Sequence, residues 1–511
     1  TIFGAFQDFY TAVIDKYGNE IWNSGNEEII FYRTDDYGQL LGCKYSPGQT
    51  NLYMGVEFSI DADIDWNDPN DTFGHHDLVK MPNGNYLSMV TETEQYYVPC
   101  DLPYEFIESC INSGVYSPIC YCEIPAFPWM GDRIVEWDKA TGEEVWSWSV
   151  FDHFSFEDYE LENGTWFDAF YATPQRYDWT HANALWFDES ESAIYVSFRH
   201  LSRISKIDYP SGNIIWSMGE DMPSGHVTFG HDLGFNFQHG VDISKDGTIL
   251  TLDNGNSTSQ TRAIEISVAE NDGVFSSDIV WEHPLRESLF GQFSGNVQKL
   301  DNGNYLATTI GERGTSIEIT PNHEEIWETH YWLSIPLGAV HRANRIKGLY
   351  PLAFSVVVDG LTVYDGENAV TLPAGSAVLN VNIFNEGSSQ ENFDYNFEDP
   401  IGWFENESGT LDIDSEQLQL LSFVGNTSLS SDVNQLTLTV TPAHRPDLTQ
   451  IIEINVHTVQ SQGVNSNNII SEFSLRDPYP NPFNSRTKIY FFLKQKNDVS
   501  ISFYSLKGEE L

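Results

Sequence analysis

The sequence predicts an all-β protein: a β-propeller of about six blades, an immunoglobulin-like β-sandwich and a partial C-terminal β module. Three observations carry this expectation. A strand-turn-strand unit recurs in one register, a second hairpin type ending in tryptophan alternates with it, and helical periodicity is weak throughout.

The first unit opens on histidine. His76 begins HDLVKMPNGNYL and His239 begins HGVDISKDGTIL, each with its turn glycine (Gly84, Gly247) eight residues on. GNVQKLDNGNYL keeps the register with Gly295 in the histidine place and Gly303 at the turn, and His181 opens the longer HANALWFDESESAIYV. The second unit runs VIDKYGNEIW, IVEWDKATGEEVW, ISKIDYPSGNIIW, AIEIS…DIVW and SIEITPNHEEIW. Alternating apolar residues around Asp, Gly and Asn turns are the mark of antiparallel hairpins. One hairpin of each kind makes a four-stranded blade. Trp146, Trp216, Trp281 and Trp327 lie 70, 65 and 46 residues apart, suitable for blades with loops. The interval from Trp22 to Trp146 has room for two blades, or for one with an insertion.

Residues 1–350 are therefore read as the propeller. After Tyr350-Pro351 strict period two replaces the tryptophan hairpins, as in Leu379/Val381/Ile383 and Leu436/Leu438/Val440, predicting a sandwich over 351–459. Residues 460–473 are polar and read as a linker. In 474–511, Pro478, Pro480 and Pro482 form a stiff entry to two strands.

The 511 residues suffice for two or three domains, and 40% hydrophobic content can fill large cores. Lys+Arg 25 against Asp+Glu 75 gives a formal charge of −50, which disfavours nucleic acid and anionic membranes as partners. The acidity is read as adaptation to a salty medium, where counter-ions screen it. A site for an anion must then be built locally, against the overall field. No run of about twenty apolar residues exists, so no transmembrane helix is expected. No signal peptide is visible at Thr1, and the chain reads as a mature or trimmed form. Cys100, Cys110, Cys120 and Cys122 crowd one segment and Cys43 stands apart. Their spacing does not suit zinc, and the disulfides of an exported protein are expected, with partners unreadable from sequence.

Equivalent positions of a unit repeated around an axis meet at one place. His76, His181 and His239 are therefore expected to converge, with Arg199 at the end of the His181 hairpin. His75, His200, His226 and His231 are read as structural hydrogen-bonders. Three imidazoles suit a metal, but a catalytic metal gains nothing from Arg199, so no metal and no cofactor is expected.

The segment beginning YPNPFN and closing with ISFYSLKGEEL resembles the C-terminal sorting domain of the type IX secretion system. That implies passage through the periplasm, the type IX machinery as a partner, and a secreted or cell-surface protein. Residues 1–350 resemble the bacterial arylsulfotransferases that need no nucleotide sulfate donor. The resemblance is carried by HDLVKMPNGNYL, His181-x-Asn183 followed by SFRH around Arg199, FQHGVDISKDGTILTLDNGN and GNVQKLDNGNYLATT. It implies transfer of a sulfuryl group from an aryl sulfate donor to a phenolic acceptor, through a sulfohistidine at His239. Arg199, Asn183 and His181 would hold the sulfuryl oxygens, and His76 would move the proton. Gly240 stands where family members often carry aspartate, and His231 is a second candidate nucleophile. The competing readings are a non-catalytic glycan-binding or adhesive propeller, and a sulfatase-like hydrolase that uses water as acceptor.

Overall fold

The computed structural model describes residues 1–6, 9–35, 37–45, 53–60, 63–69, 74–113, 126–161, 163–333, 339–364, 367–428, 434–459, 474–475 and 491–492. The chain is all-β apart from a few short helices. It divides into two compact units, the first made of Thr1–Asp35 and Gln39–Ile346, the second of Asp36–Gly38 and Lys347–Leu511.

Among the described residues the first unit holds six sheets, each built on four antiparallel strands, five of them meanders of consecutive strands. Sheet two is Ile29–Thr34, Leu40–Tyr45, Tyr53–Phe58 and Ile64–Asn67. Sheet three is Gly74–Lys80, Tyr86–Tyr96, Phe127–Trp137 and Glu144–Ser149, with Tyr177–Asp178 added in parallel to its third strand. Sheet four runs Ala182–Asp188, Ala193–Phe198, Arg203–Asp208 and Ile214–Gly219. Sheet five runs His239–Ile243, Ile249–Asp253, Arg262–Asn271 and Val274–Pro284, and sheet six Asn296–Lys299, Tyr305–Thr309, Thr315–Ile319 and Glu325–His330. Sheet one joins the two ends of the unit: Val340–Asn344 pairs with Ile2–Ala5, followed by Tyr10–Ile14 and Glu20–Asn23.

Each sheet thus has a leading strand, and each leading strand contacts the next, with that of sheet six contacting that of sheet one. All five tryptophan hairpins expected from sequence form the third and fourth strands of a sheet. Their tryptophans tie neighbouring sheets together. Trp146 Nε1 donates to Pro210 O of sheet four at 2.8 Å, and Trp327 Nε1 donates to Lys16 O of sheet one at 2.8 Å. The wide Trp22–Trp146 interval holds sheets two and three, and sheet three also carries the insertion with the helix Tyr104–Asn112.

Five of the six leading strands share one irregularity, and only that of sheet six pairs in unbroken register. Register shifts fall between Phe31 and Arg33, His75 and Leu78, Ala182 and Ala184, and His239 and Asp242. In sheet one the shift falls opposite His341. A bulge interrupts the inside-outside alternation and re-aims a side chain. Tyr32, His76 with Asp77, Asn183, Gly240 with Val241, and His341 are the residues so displaced.

In the second unit a three-stranded sheet and a six-stranded sheet share one buried cluster, which includes Leu379, Val381, Ile383, Phe393, Leu436 and Leu438. The period-two segments supply it, alternate residues facing inward. Ser474–Leu475 pairs with Phe491–Phe492. The rest of the expected sorting segment and the linker lie outside the described residues.

The disulfide expectation fails at Cys43, a buried free thiol in the second strand of sheet two, whose pKa burial pushes up to about 12. Cys120 and Cys122 lie outside the described residues, and no disulfide occurs among those described. No described helix is long and apolar enough to cross a membrane.

Candidate active site

His76 and His181 meet edge to face, ring centroids 5.0 Å apart, and His181 lies 4.6 Å from His200. His341 joins from sheet one, its ring 6.3 Å from that of His76 and its Nε2 bonded to His76 O at 3.1 Å. His76 and His181 both adopt left-handed backbone, φ +61 and +49. Such conformations cost about 1–3 kcal/mol each and persist where the surroundings over-determine them.

Burial, together with the charges of His181, His75, His341 and His239, holds His76 well below the ordinary histidine value. Burial and the nearby Arg199 charge do the same for His239. His341 falls to about 3, chiefly through burial and the adjacent Arg342. These imidazoles are neutral at physiological pH, the state in which a ring nitrogen is nucleophilic or basic.

His239 opens the leading strand of sheet five and is 5% exposed. Its Nδ1 lies 2.8 Å from Asn254 Oδ1. The Asn254 amide is itself fixed, because its Nδ2 donates to Gly291 O and Ser294 O. The amide oxygen can only accept, so Nδ1 carries the proton and Nε2 is the bare nitrogen. Gly240, next in the chain, has φ +77, and a Cβ there would come within 3.3 Å of Asn296 Cβ. The left-handed backbone and the nearness of Asn296 thus suit glycine at position 240. Fully buried Gln238 spans sheets, its side-chain Nε2 donating to Ser197 Oγ, Phe198 O and Arg203 O, while its backbone carbonyl accepts from Asn183 Nδ2 at 2.7 Å.

Arg199 follows the second strand of sheet four, its backbone N–H donating to His181 O at 3.1 Å. Its guanidinium covers the Phe237 ring at 4.6 Å, and one terminal nitrogen donates to His200 Nε2 at 2.5 Å while the other donates to Gln292 O at 3.1 Å. Each terminal nitrogen carries a second hydrogen for a ligand. Burial lowers its pKa to about 10, so the cation persists at neutral pH. Asp178 accepts from His181 Nδ1 at 2.6 Å, and its backbone carbonyl accepts from His200 Nδ1 at 2.7 Å. Burial would raise the Asp178 carboxyl, but His181, His200 and Arg199 hold it well below the usual range.

Residues 128–329 match the arylsulfotransferase (ASST) family model. The matched stretch includes His181, Asn183, Arg199, His239 and Asn254; His76 and His341 lie outside it. No curated protein matches the chain. Among solved structures, a protein of unknown function from Bacteroides caccae is similar at 11% identity and TM-score 0.36, covering 67% of this chain and 96% of that one. A putative 6-phosphogluconolactonase from Bacteroides fragilis is similar at 11% identity and TM-score 0.29, covering 83% and 97%. Kuenenia stuttgartiensis hydrazine synthase is similar at 11% identity and TM-score 0.30, covering 68% and 74%.

Within and beside the matched segment, other side chains stand against the candidate histidines and Arg199. His200, expected to be structural, orients Arg199. His75 touches His76, their Nδ1 atoms 2.9 Å apart. Asn254 sits in the DNGN run after the second strand of sheet five, where it reads as a turn residue. His341 offered one signal, the VHRAN run at the leading edge of a strand. Its unit lacks the turn and second strand because the chain's first residues supply them. His231 belongs to a short turn at 231–233, where Nδ1 bonds Gly219 O at 3.0 Å.

Two clusters offer ligand atoms within metal-binding reach, Asp178 with His181 and His200, and Glu312 with Glu328 and His330. In the first, Arg199 already faces His200 Nε2, and a second cation there is opposed by charge. In the second, Arg286 bonds Glu312 and Glu328.

Beneath the histidines the leading strands are joined by a buried ion layer. Asp77 Oδ2 accepts from Arg33 and Arg342, both at 2.9 Å, and from Leu185 N at 3.0 Å. A cavity of about 270 Å³, lined by Arg33, Trp186, Asp242, Asn296 and Arg342 among others, opens on that layer and includes none of the histidines.

Proposed function

We propose that the first unit is a six-bladed β-propeller that transfers a sulfuryl group from an aryl sulfate to a phenol through a covalent intermediate on His239. The observation that carries the reading is the neutral, tautomer-fixed His239 beside a half-buried guanidinium. His239 Nε2 attacks sulfur, the N–S bond forms and the S–O(aryl) bond breaks. Sulfuryl transfer, like phosphoryl transfer, passes through a loose transition state, so positioned donors do most of the work. Arg199 and Asn183, with His181, supply them. His76 takes up a proton from solvent before the donor step, passes it to the departing phenolate and, neutral again, takes the acceptor's proton. The ring of contacts between leading strands supports the propeller architecture, and the family match supports aryl sulfate chemistry. Export by type IX machinery to the cell surface or medium is proposed from the C-terminal sequence motif alone.

The test is incubation with 4-nitrophenyl sulfate, with and without a phenol. The reading predicts sulfated acceptor in proportion to nitrophenol released, and loss of both in His239→Asn. Nitrophenol release with no sulfated acceptor would favour hydrolysis. No reaction with a range of aryl sulfates would leave a binding protein.

A further inference from the structure

We propose that Asp132 and His75 form a relay behind His76 that fixes which of its nitrogens is basic. This rests on the acid–base role given to His76 above. Asp132, from the third strand of sheet three, is buried. Its Oδ2 accepts from Thr180 Oγ1 at 2.5 Å and from Ala182 N at 2.7 Å, and its Oδ1 lies 3.2 Å from His75 Nε2, an ion-pair distance at which the carboxylate attracts a proton by charge although the two atoms are not aligned for a hydrogen bond. His75 Nδ1 lies 2.9 Å from His76 Nδ1.

Two ring nitrogens in contact at that distance share one proton, so one donates and the other accepts. Asp132 oxygens facing His75 Nε2 favour the proton there. In neutral His75 the Nδ1 is then the acceptor, and His76 must donate from Nδ1. His76 Nε2 is left bare. When the acceptor phenol gives its proton to that nitrogen, the new imidazolium already directs its Nδ1–H at His75, whose Nε2–H faces Asp132. The charge is spread over three groups in a region otherwise hostile to a cation, as the depressed His76 pKa records. For the donor step His76 Nε2 first takes up a proton from solvent, and that proton then goes to the departing phenolate oxygen. His75 and Asp132 are positioning residues, and they act through His76. The bulge between His75 and Leu78 takes His76 out of the strand's alternation while His75 stays paired with Met89, and the left-handed His76 backbone holds the two rings edge to face at 5.0 Å.

A merely structural role would slow every substrate alike, whereas a proton relay matters in proportion to the leaving group's need for a proton. The experiment is single-turnover sulfation of the enzyme by aryl sulfates whose phenols range from 4-nitrophenol to unsubstituted phenol. His75→Leu is expected to stay within about 3-fold of the parent on the nitrophenyl ester and to fall about 100-fold on phenyl sulfate, the low end of what general acid–base catalysis contributes. His75→Gln, whose amide oxygen can accept from His76 Nδ1 and whose N–H can face Asp132, should restore most of that loss. A parental leaving-group slope in His75→Leu, a uniform loss across the series, or no rescue by glutamine overturns the relay. His76→Asn separates the two proposals. If it too leaves the slope unchanged, the acid–base role of His76 is wrong and the relay falls with it. If it steepens the slope while His75→Leu does not, the relay alone is wrong.

Discussion

His239 and Asn254 are joined by a 2.8 Å contact between an imidazole nitrogen and an amide oxygen, and that contact decides which nitrogen of His239 can react. Asn254→Leu removes the acceptor and frees the tautomer. Loss of tautomer control at a catalytic imidazole can cost up to about 10⁴-fold in turnover, and a fall of at least 10-fold is expected here. Asn254→Asp keeps an acceptor but adds a charge that favours imidazolium. Its acidic activity limb should shift to higher pH, which a pH–rate profile reads directly.

Arg199 offers charge and shape together. Arg199→Lys keeps a cation but loses the planar contacts with His200, Gln292 O and the Phe237 ring, so turnover should drop strongly and Arg199→Ala should drop further, by about 10²–10³-fold for a lost transition-state donor. Steady-state kinetics should place the loss on kcat as well as KM. Parental turnover in the alanine variant would assign sulfuryl recognition elsewhere.

The ion layer makes a stability prediction. Asp77 has a fully buried side chain shared by Arg33 and Arg342. Asp77→Ala would leave two guanidinium groups without their carboxylate, at a cost of about 3–5 kcal/mol. Urea unfolding should show the midpoint falling accordingly. A change under about 1 kcal/mol would mean the arginines find other acceptors.

Acid should loosen the fold around the histidines. His341 has a folded pKa of about 3, below the unfolded value of 6.5, so the unfolded chain binds the proton first. Its stabilising contribution is full above pH 6.5 and is lost as pH falls toward 3, at up to about 1.4 kcal/mol per pH unit. Asp242 acts with the opposite sign, because burial raises its folded pKa to about 6. Asp68 does likewise at about 7, also through burial. The informative quantity is therefore a difference: His341→Asn should have a shallower fall of Tm between pH 6.5 and 4.5 than the parent. Equal slopes would show that His341 is not buried neutral.

What sequence could reveal followed periodicity. The tryptophan hairpins, the histidine-led strands and the period-two strands of the second unit all repeat, and repeats survive being read in one dimension. Sheet two escaped separate notice because its leading strand carries Tyr32 and Arg33 in place of the histidine opening. His341 escaped because its unit is split between the two ends of the chain segment. The partners of the site escaped for a different reason. Asp178 lies three residues before His181, but Asp132 approaches His75 from another strand, and Asn254 reaches His239 across a hairpin. Such contacts depend on bulges and backbone angles that composition does not encode. The glycine at position 240 became intelligible only with its φ and the nearness of Asn296.

The central claim is a covalent sulfuryl group on one histidine. The direct measurement is mass spectrometry of the protein treated with 4-nitrophenyl sulfate without acceptor, quenched and digested at alkaline pH to protect an N–S bond. The account predicts one added sulfuryl group on the peptide containing His239, discharged when phenol is supplied before the quench and missing in His239→Asn. A group found on the His231 side of that region, or sulfated phenol formed in single turnover with no labelled histidine, would contradict it.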